Sequence, residues 1–292
     1  MQQEQMNIQW YPGHMTKTRR QMEADLKQVD AVCEIVDARI PVSSRNPDID
    51  SICGDKPRIV ILNRMDLADP SATQRWAEYF RTKGIAAVST DCKSRKGING
   101  FQPAVREVLK EKIQRNAARG MNRPLRVMIV GIPNVGKSTL INQISGRKGA
   151  KAENRPGVTR GKQWVTVDSA LLLLDTPGIL WPKFEDPQVG MMLAYTGAVK
   201  DGILDIEELA CNLMALLHRR YPQALKDRYG IEAEQGTPGY ELLEMAGRKR
   251  GFLVSGGEIN TERMAKVLVD EFRSGKLGRF TLEEPEEMGH GG

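Results

Sequence analysis

The sequence predicts an α/β fold: a mostly parallel six-stranded sheet covered by helices, followed by a small all-helical C-terminal domain. Three observations carry this. Apolar runs of strand length alternate with helix-period stretches between residues 14 and 145, the pattern of a parallel sheet covered on both faces. The runs 163–167 and 170–174 stand too close for a crossover helix and form an antiparallel hairpin instead. Beyond about residue 188 no strand pattern remains.

Taken in order, residues 14–29 space Met15, Thr18, Met22, Leu26 and Val29 as one face of a helix. The run 31–36 is a strand ending at Asp37, and 58–62 is a second ending at Asn63. A helix over 71–83 stops at Gly84, and 85–88 is the third strand. A helix over 100–112 is interrupted early by Pro103. Residues 112–124 carry Lys112, Arg115, Arg119 and Arg123 with no acid, and read as a basic linker. Then come a strand over 125–130, a helix over 137–145 stopped by Gly146, and a basic loop containing Pro156 and Gly157. After the hairpin, 189–200 is helical. Asp205 with Glu208 makes an acidic capping box before Leu209, Leu213, Leu216 and Leu217. Asn260 caps a helix bearing Met264, Val267, Leu268 and Phe272. The expected domains are therefore 1–188 and 189–283, with 284–292 as a disordered acidic tail.

At 292 residues, the chain has room for about two domains of ~150 residues each. Hydrophobic residues at 40% and charged residues at 27% are the proportions of a globular protein. No apolar run approaches the ~20 residues that cross a bilayer, and no signal-peptide pattern opens the chain. Cys33, Cys53, Cys92 and Cys211 form no CxxC pair, which disfavours a disulfide framework or a zinc site. A reducing, cytoplasmic location is expected. The net charge of +6 permits a nucleic-acid partner. Aromatics at 5% disfavour a base-stacking sheet as the main surface.

Residues 131–138 read Gly-Ile-Pro-Asn-Val-Gly-Lys-Ser, the pattern G-x-x-x-x-G-K-[ST] between a strand and a helix. This is the phosphate-binding P-loop. Gly131 and Gly136 let successive N–H groups face phosphates, and the following helix adds its N-terminal dipole. Asn134, Val135, Gly136, Lys137, Ser138 and Thr139 are the expected phosphate contacts. Lys137 would reach the β- and γ-phosphates, and Ser138 would ligate Mg²⁺. Asp175-Thr176-Pro177-Gly178 ends the last apolar run. Asp175 would hold Mg²⁺, and Gly178 would offer its N–H to the γ-phosphate. Thr159, in Pro156-Gly157-Val158-Thr159, is a candidate for completing the Mg²⁺ shell; a solvated loop threonine is the plain alternative.

Asn63-Arg64-Met65-Asp66 follows the second strand and resembles the N-K-x-D guanine motif of GTPases. Asp66 would accept from guanine N1 and N2, and Asn63 would support the neighbouring loops. Arg64 stands where lysine is usual, and a planar guanidinium can still stack on a purine. The best match to a third, S-A-K-like loop is Asp91-Cys92-Lys93. The guanine motif precedes the P-loop, the reverse of the Ras-like order. The expected fold is thus a circularly permuted P-loop GTPase domain, its original ends joined by the basic linker.

With the segments 8–15, 36–47, 131–142, 155–159, 173–186 and 249–260, the chain resembles the YlqF-type circularly permuted GTPases. That resemblance implies GTP hydrolysis in late assembly of the large (50S) ribosomal subunit, with contacts to ribosomal RNA. It also implies a helical domain similar to ANTAR RNA-binding domains, and it suggests that the loop holding His14 lies near the switches. Ile179 stands where Ras-like proteins carry the water-orienting glutamine, so turnover alone is expected to be slow and stimulated by ribosomal particles. His14 is a candidate to position water, with helix capping as the alternative. Asn134 matches a position that potassium-activated GTPases use, which adds K⁺ to GTP, GDP and Mg²⁺ as a candidate cofactor. Arg248, Lys249, Arg250, Lys276 and Arg279 by themselves read first as a solvated helix end; with the basic linker and loop and the family resemblance they become candidates for contacting RNA phosphates. The chain is expected to act as a monomer. Two other readings stand: an RNA-binding scaffold with GTP as a structural ligand, and a GTPase of another pathway.

Overall fold

The computed structural model describes residues 20, 22–146, 163–177, 186–199, 205–254 and 256–289. His14, Thr159, Gly178 and Ile179 lie outside the described residues. Six strands form one sheet: β1 (Ala31–Asp37), β2 (Arg58–Asn63), β3 (Ala86–Ser89), β4 (Leu125–Gly131), β5 (Gln163–Asp168) and β6 (Leu171–Asp175). The order is β3-β2-β1-β4-β6-β5. Every pairing is parallel except the β5–β6 hairpin. That is the sheet the apolar runs predict. β1 is buried along its whole length, as a central parallel strand should be.

The helices of this unit follow local chemistry. α1 is the single turn Ile49–Cys53. α2 (Pro70–Thr82) starts where the Asp69 carboxylate accepts from the Ala72 N–H at 2.9 Å, with Pro70 in the first turn. Pro103 does not interrupt its helix. It lies in the first turn of α3 (Phe101–Val108), where no intrahelical N–H is required. The break comes instead at Leu109, before α4 (Lys110–Ala118), so the first half of the basic linker is helical. α5 (Lys137–Ser145) follows the P-loop and ends at Gly146 in the left-handed region. Two apolar clusters of described residues pack the unit. One joins Met22, Leu26 and Val29 to Val32, Met128 and Leu174. The other joins Val36 and Leu62 to Trp76 and Phe80.

The chain divides into two compact units, with the boundary at Asp186. The second unit, Asp186–Leu282, contains α6 (Pro187–Thr196), α7 (Ile206–Arg220), α8 (Pro222–Tyr229), α9 (Gly239–Lys249) and α10 (Thr261–Ser274). Asp205 and Asn260 cap α7 and α10 as expected. α8 and α9 have no counterpart among the elements read from the sequence. The packing explains Gly239: a Cβ there would lie 1.9 Å from the Cys211 carbonyl oxygen on α7. Glu271 on α10 ties the unit together. Its carboxylate accepts from Arg228, from the Tyr229 hydroxyl at 2.8 Å and from Arg250 at 3.2 Å. Hydrogen bonding to Arg228, above all, holds its pKa down at about 2, below the ordinary 4.5. Stability from a depressed carboxyl pKa is present above its unfolded value and is lost as pH falls toward 2. Glu271→Gln should therefore cost about 2 kcal/mol at neutral pH. Urea titrations at pH 7 and pH 3 should show the gap to wild type shrinking at the lower pH.

The acidic C-terminus corrects the disordered tail expected over 284–292 as far as residue 289, and 290–292 lie outside the described residues. Glu283 and the residues after it belong to the first unit, and Pro285–Gly289 forms a 3-10 turn. The Glu283 carboxylate accepts from the Val42 N–H at 2.6 Å, the Ser43 N–H at 3.1 Å and the Ser43 hydroxyl. Trp76 Nε1 donates to the Glu283 carbonyl at 2.9 Å, and Arg75 pairs with Glu284 at 2.6 Å. A run of glutamates reads as solvated charge until amides and an arginine are placed opposite it. Burial pushes Glu283 up to about 7, against the opposing pull of its hydrogen bonds. A raised carboxyl pKa contributes stability below the unfolded 4.5 and loses it as pH climbs through 7. Docking of this segment should weaken by on the order of 3 kcal/mol between pH 4 and pH 8. Hydrogen exchange at the Trp76 indole across that range checks this, and Glu283→Gln should flatten the profile.

Candidate functional site

Strand register assembles the site. Asp37 pairs with Asn63, Ile35 with Gly131, and Ile129 with Asp175. The carboxyl ends of β1, β2, β4 and β6 therefore share one edge, where open α/β sheets bind ligands. Three stretches far apart in the chain meet there: the guanine motif, the P-loop and Asp175.

The P-loop glycines answer to their neighbours. A Cβ at Gly131 would lie 2.7 Å from both the Ile35 side chain and its carbonyl oxygen. Gly136 has φ +106, and a Cβ there would lie 2.4 Å from Asn63 Nδ2. Asn134 also takes a left-handed conformation, with φ 60. Ser138 and Thr139 are half-buried in the first turn of α5. Lys137 is only 7% exposed, and its Nζ stands 4.0 Å from Asp175 Oδ1. Burial lowers the Lys137 pKa and raises that of Asp175, each opposed by the charge of the other. Asp175 Oδ1 is buried with no hydrogen-bond partner among the described residues. The Thr176 hydroxyl, donating to the Ile129 carbonyl at 2.7 Å, fixes this corner against β4. A buried ammonium, an orphaned carboxylate oxygen and a helix N-terminus together fit a divalent cation and a polyphosphate.

On the base side, Asn63 is the hub. Its Nδ2 donates to the Val135 carbonyl at 2.7 Å, while its Oδ1 accepts from the Cys92 N–H at 3.1 Å and the Thr90 hydroxyl at 3.2 Å. Arg64, with φ 61, donates from Nη2 to the Asn134 carbonyl at 2.6 Å. Asp66 is exposed. The Asp91 carboxylate accepts from the amides of Lys93 and Ser94, closing its own turn rather than facing outward. Cys92 is buried, its thiol pushed up to about 11 by burial. Arg250, grouped by sequence with Arg248 and Lys249, instead pairs with Glu271 and lies over the Tyr229 ring.

Sequence reasoning assigned no role to Asp37 and Arg39. Arg39 donates to the Asp37 carboxylate from Nε at 2.9 Å and from Nη2 at 2.7 Å. Arg64 Nε lies 3.7 Å from that same carboxylate. The available signal was an Asp-x-Arg at the end of a strand that pairs with the strand carrying the guanine motif.

A family model described as "50S ribosome-binding GTPase" matches residues 126–235. The chain is 49% identical over 284 residues to ribosome biogenesis GTPase A of Priestia megaterium, spanning 97% of this chain and 98% of that one. To the Bacillus cereus protein of the same name it is 47% identical over 285 residues, spanning 97% and 96%. Among solved structures, GNP-bound YlqF from T. maritima is similar at a TM-score of 0.60 and 28% identity, over 92% of this chain and 99% of that one.

Proposed function

The chain belongs to the ribosome biogenesis GTPase A family, and from that premise we propose that its GTP hydrolysis times a step in assembly of the large ribosomal subunit. The GTP form docks on precursor particles, and hydrolysis releases it. The observation that carries the nucleotide site is the Asn63–Val135 bond, which joins base loop and phosphate loop in a permuted chain.

Each residue has a task in that reading. Asp66 accepts from guanine N1 and N2, and Arg64 covers the purine face. Amides of 134–139 and of Gly178 wrap the phosphates. Lys137 places its ammonium on the β- and γ-oxygens. Ser138, Asp175 and Thr159 hold Mg²⁺; the orphaned Asp175 oxygen supports the fit. When bound, the ion neutralises charge developing on the phosphate oxygens. His14 positions water where Ile179 has no polar group to do so. Asn134, exposed at the P-loop, would hold K⁺, which would supply positive charge against that developing on the phosphates. Hydrolysis should then run faster in KCl than in NaCl at equal ionic strength, and equal rates would remove K⁺ from the site. One chain supplies base loop, phosphate loop and Asp175, so a monomer suffices, acting in the cytoplasm with its substrate particles.

Exposed Arg248, Lys249, Lys276 and Arg279 are read as RNA phosphate contacts of an ANTAR-like helical unit. Affinity for the particle should then fall steeply with salt. The deciding experiment is single-turnover GTP hydrolysis by wild type and His14→Ala, with and without purified large subunits, alongside co-sedimentation in a non-hydrolysable analogue or GDP. Stimulation by particles and analogue-dependent binding are expected. Hydrolysis indifferent to particles would favour a scaffold that uses GTP as a structural ligand. Failure to co-sediment would point to another pathway.

A further inference from the structure

Asp37 sits where the base-reading and phosphate-binding halves of the site meet. β1, which ends at Asp37, runs between β2 and β4 in the sheet. Its neighbour on one side ends in Asn63 and on the other in Gly131. A buried carboxylate is expensive unless it is paired and hydrogen-bonded. Asp37 is only 3% exposed, and its carboxylate accepts from the Arg39 N–H at 3.0 Å, from Nε at 2.9 Å and from Nη2 at 2.7 Å. The Ser44 hydroxyl accepts from its backbone N–H at 2.9 Å. These bonds lock the carboxylate in place. The charges of Arg39 and Arg64 hold its pKa below the ordinary range despite burial, so it stays ionised.

What that fixed charge faces is Arg64. Its Nε lies 3.7 Å from Asp37 Oδ2, while its Nη2 donates to the Asn134 carbonyl at 2.6 Å. A guanidinium's planar fork has separate N–H groups to direct at the carbonyl and at the carboxylate, where an ammonium is a single compact charge, and this gives arginine in place of the usual lysine a physical reason here. The backbone of Arg64, at φ 61, is in a region that costs a non-glycine residue energy and persists only where its surroundings over-determine it.

We propose that Asp37 is a positioning residue of the nucleotide site: locked by Arg39, it orients Arg64 onto the Asn134 carbonyl and so ties the guanine motif to the P-loop. The proposal rests on the reading of this edge as a guanine-nucleotide site. It assigns Asp37 no contact with nucleotide. Its effect runs through Arg64, and losing it should let the two loops separate more readily and release nucleotide faster.

A double-mutant cycle read by dissociation of a fluorescent GDP analogue tests this. Wild type, Asp37→Asn, Arg64→Ala and the double variant are compared by stopped flow, with thermal melts to confirm folding. Asp37→Asn should speed release about ten-fold, and the same change in the Arg64→Ala background should add less than two-fold, the signature of coupled residues. Equal effects of Asp37→Asn in both backgrounds, or no effect in either, would overturn the proposal. Should Asp37→Asn fail to fold, Arg64→Lys decides: several-fold faster release than wild type supports the fork, and wild-type release defeats it. Wild-type protein that binds no GDP analogue would take down the site reading itself, which a cycle that merely comes out additive would leave standing.

Discussion

Lys137→Ala is expected to slow single-turnover GTP hydrolysis by about 10³-fold, the scale set by removing one donor aimed at developing charge. The ammonium is buried at the P-loop with Asp175 Oδ1 at 4.0 Å. Burial lowers its pKa, so it is poorly satisfied by protein groups alone. A γ-phosphate gaining charge on its oxygens is the partner that makes such a cation worth burying. Truncation also strips Asp175 of the Lys137 charge that opposes its raised pKa, so that pKa should rise further and Mg²⁺ binding should weaken at acidic pH. Rapid-quench measurement at saturating GTP, with Mg²⁺ titrated at two pH values, separates the two consequences. A variant within a few-fold of wild type at all Mg²⁺ concentrations would place the triphosphate elsewhere.

Asp66→Asn should exchange the base preference. Guanine offers N1–H and N2–H₂ donors, and an exposed carboxylate at the end of the guanine motif can accept both. Hydrogen bonds to a charged group contribute about 1.5–3 kcal/mol each, so losing the carboxylate should weaken GTP binding by about 10²- to 10³-fold. Xanthine carries a carbonyl where guanine carries the amino group, and an asparagine amide can donate to it. The variant should therefore gain affinity for XTP as it loses GTP. Competition of GTP, XTP and ATP for a fluorescent nucleotide reads all three. Folding should be unaffected, because no hydrogen bond of the Asp66 side chain holds the loop among the described residues; Asn63 holds it. Unchanged GTP affinity would mean that the purine is not read at Asp66.

Much of the sheet was legible because its signals are local. Runs such as 59–62 and 171–174 are continuously apolar, the pattern of strands covered on both faces. The hairpin follows from chain length alone. Helices failed where a residue type has two uses. Pro103 reads as a breaker in mid-helix and is harmless in a first turn. Gly239, given no role by the sequence, opens α9 where a Cβ would meet the Cys211 carbonyl. Glu283 reads as solvent-facing charge and is instead buried against the amides of Val42 and Ser43. For Gly239 and Glu283 the deciding neighbour is distant in sequence.

The same division runs through the site. The kinds of residue and their order along the chain already carried the chemistry: a phosphate loop at 131–138, a carboxylate at 175, and a base motif at 63–66 placed ahead of both. Those are short-range patterns, because backbone amides, a lysine and an aspartate perform their roles at fixed spacing from a strand end. Packing alone decided how the pieces are held. Asn63 bonding Val135 and Arg64 reaching from Asp37 to Asn134 depend on parallel register between strands separated by dozens of residues. Register is set by which side chains fill the space between strands and helices, a property of the assembled core that no single stretch of chain contains.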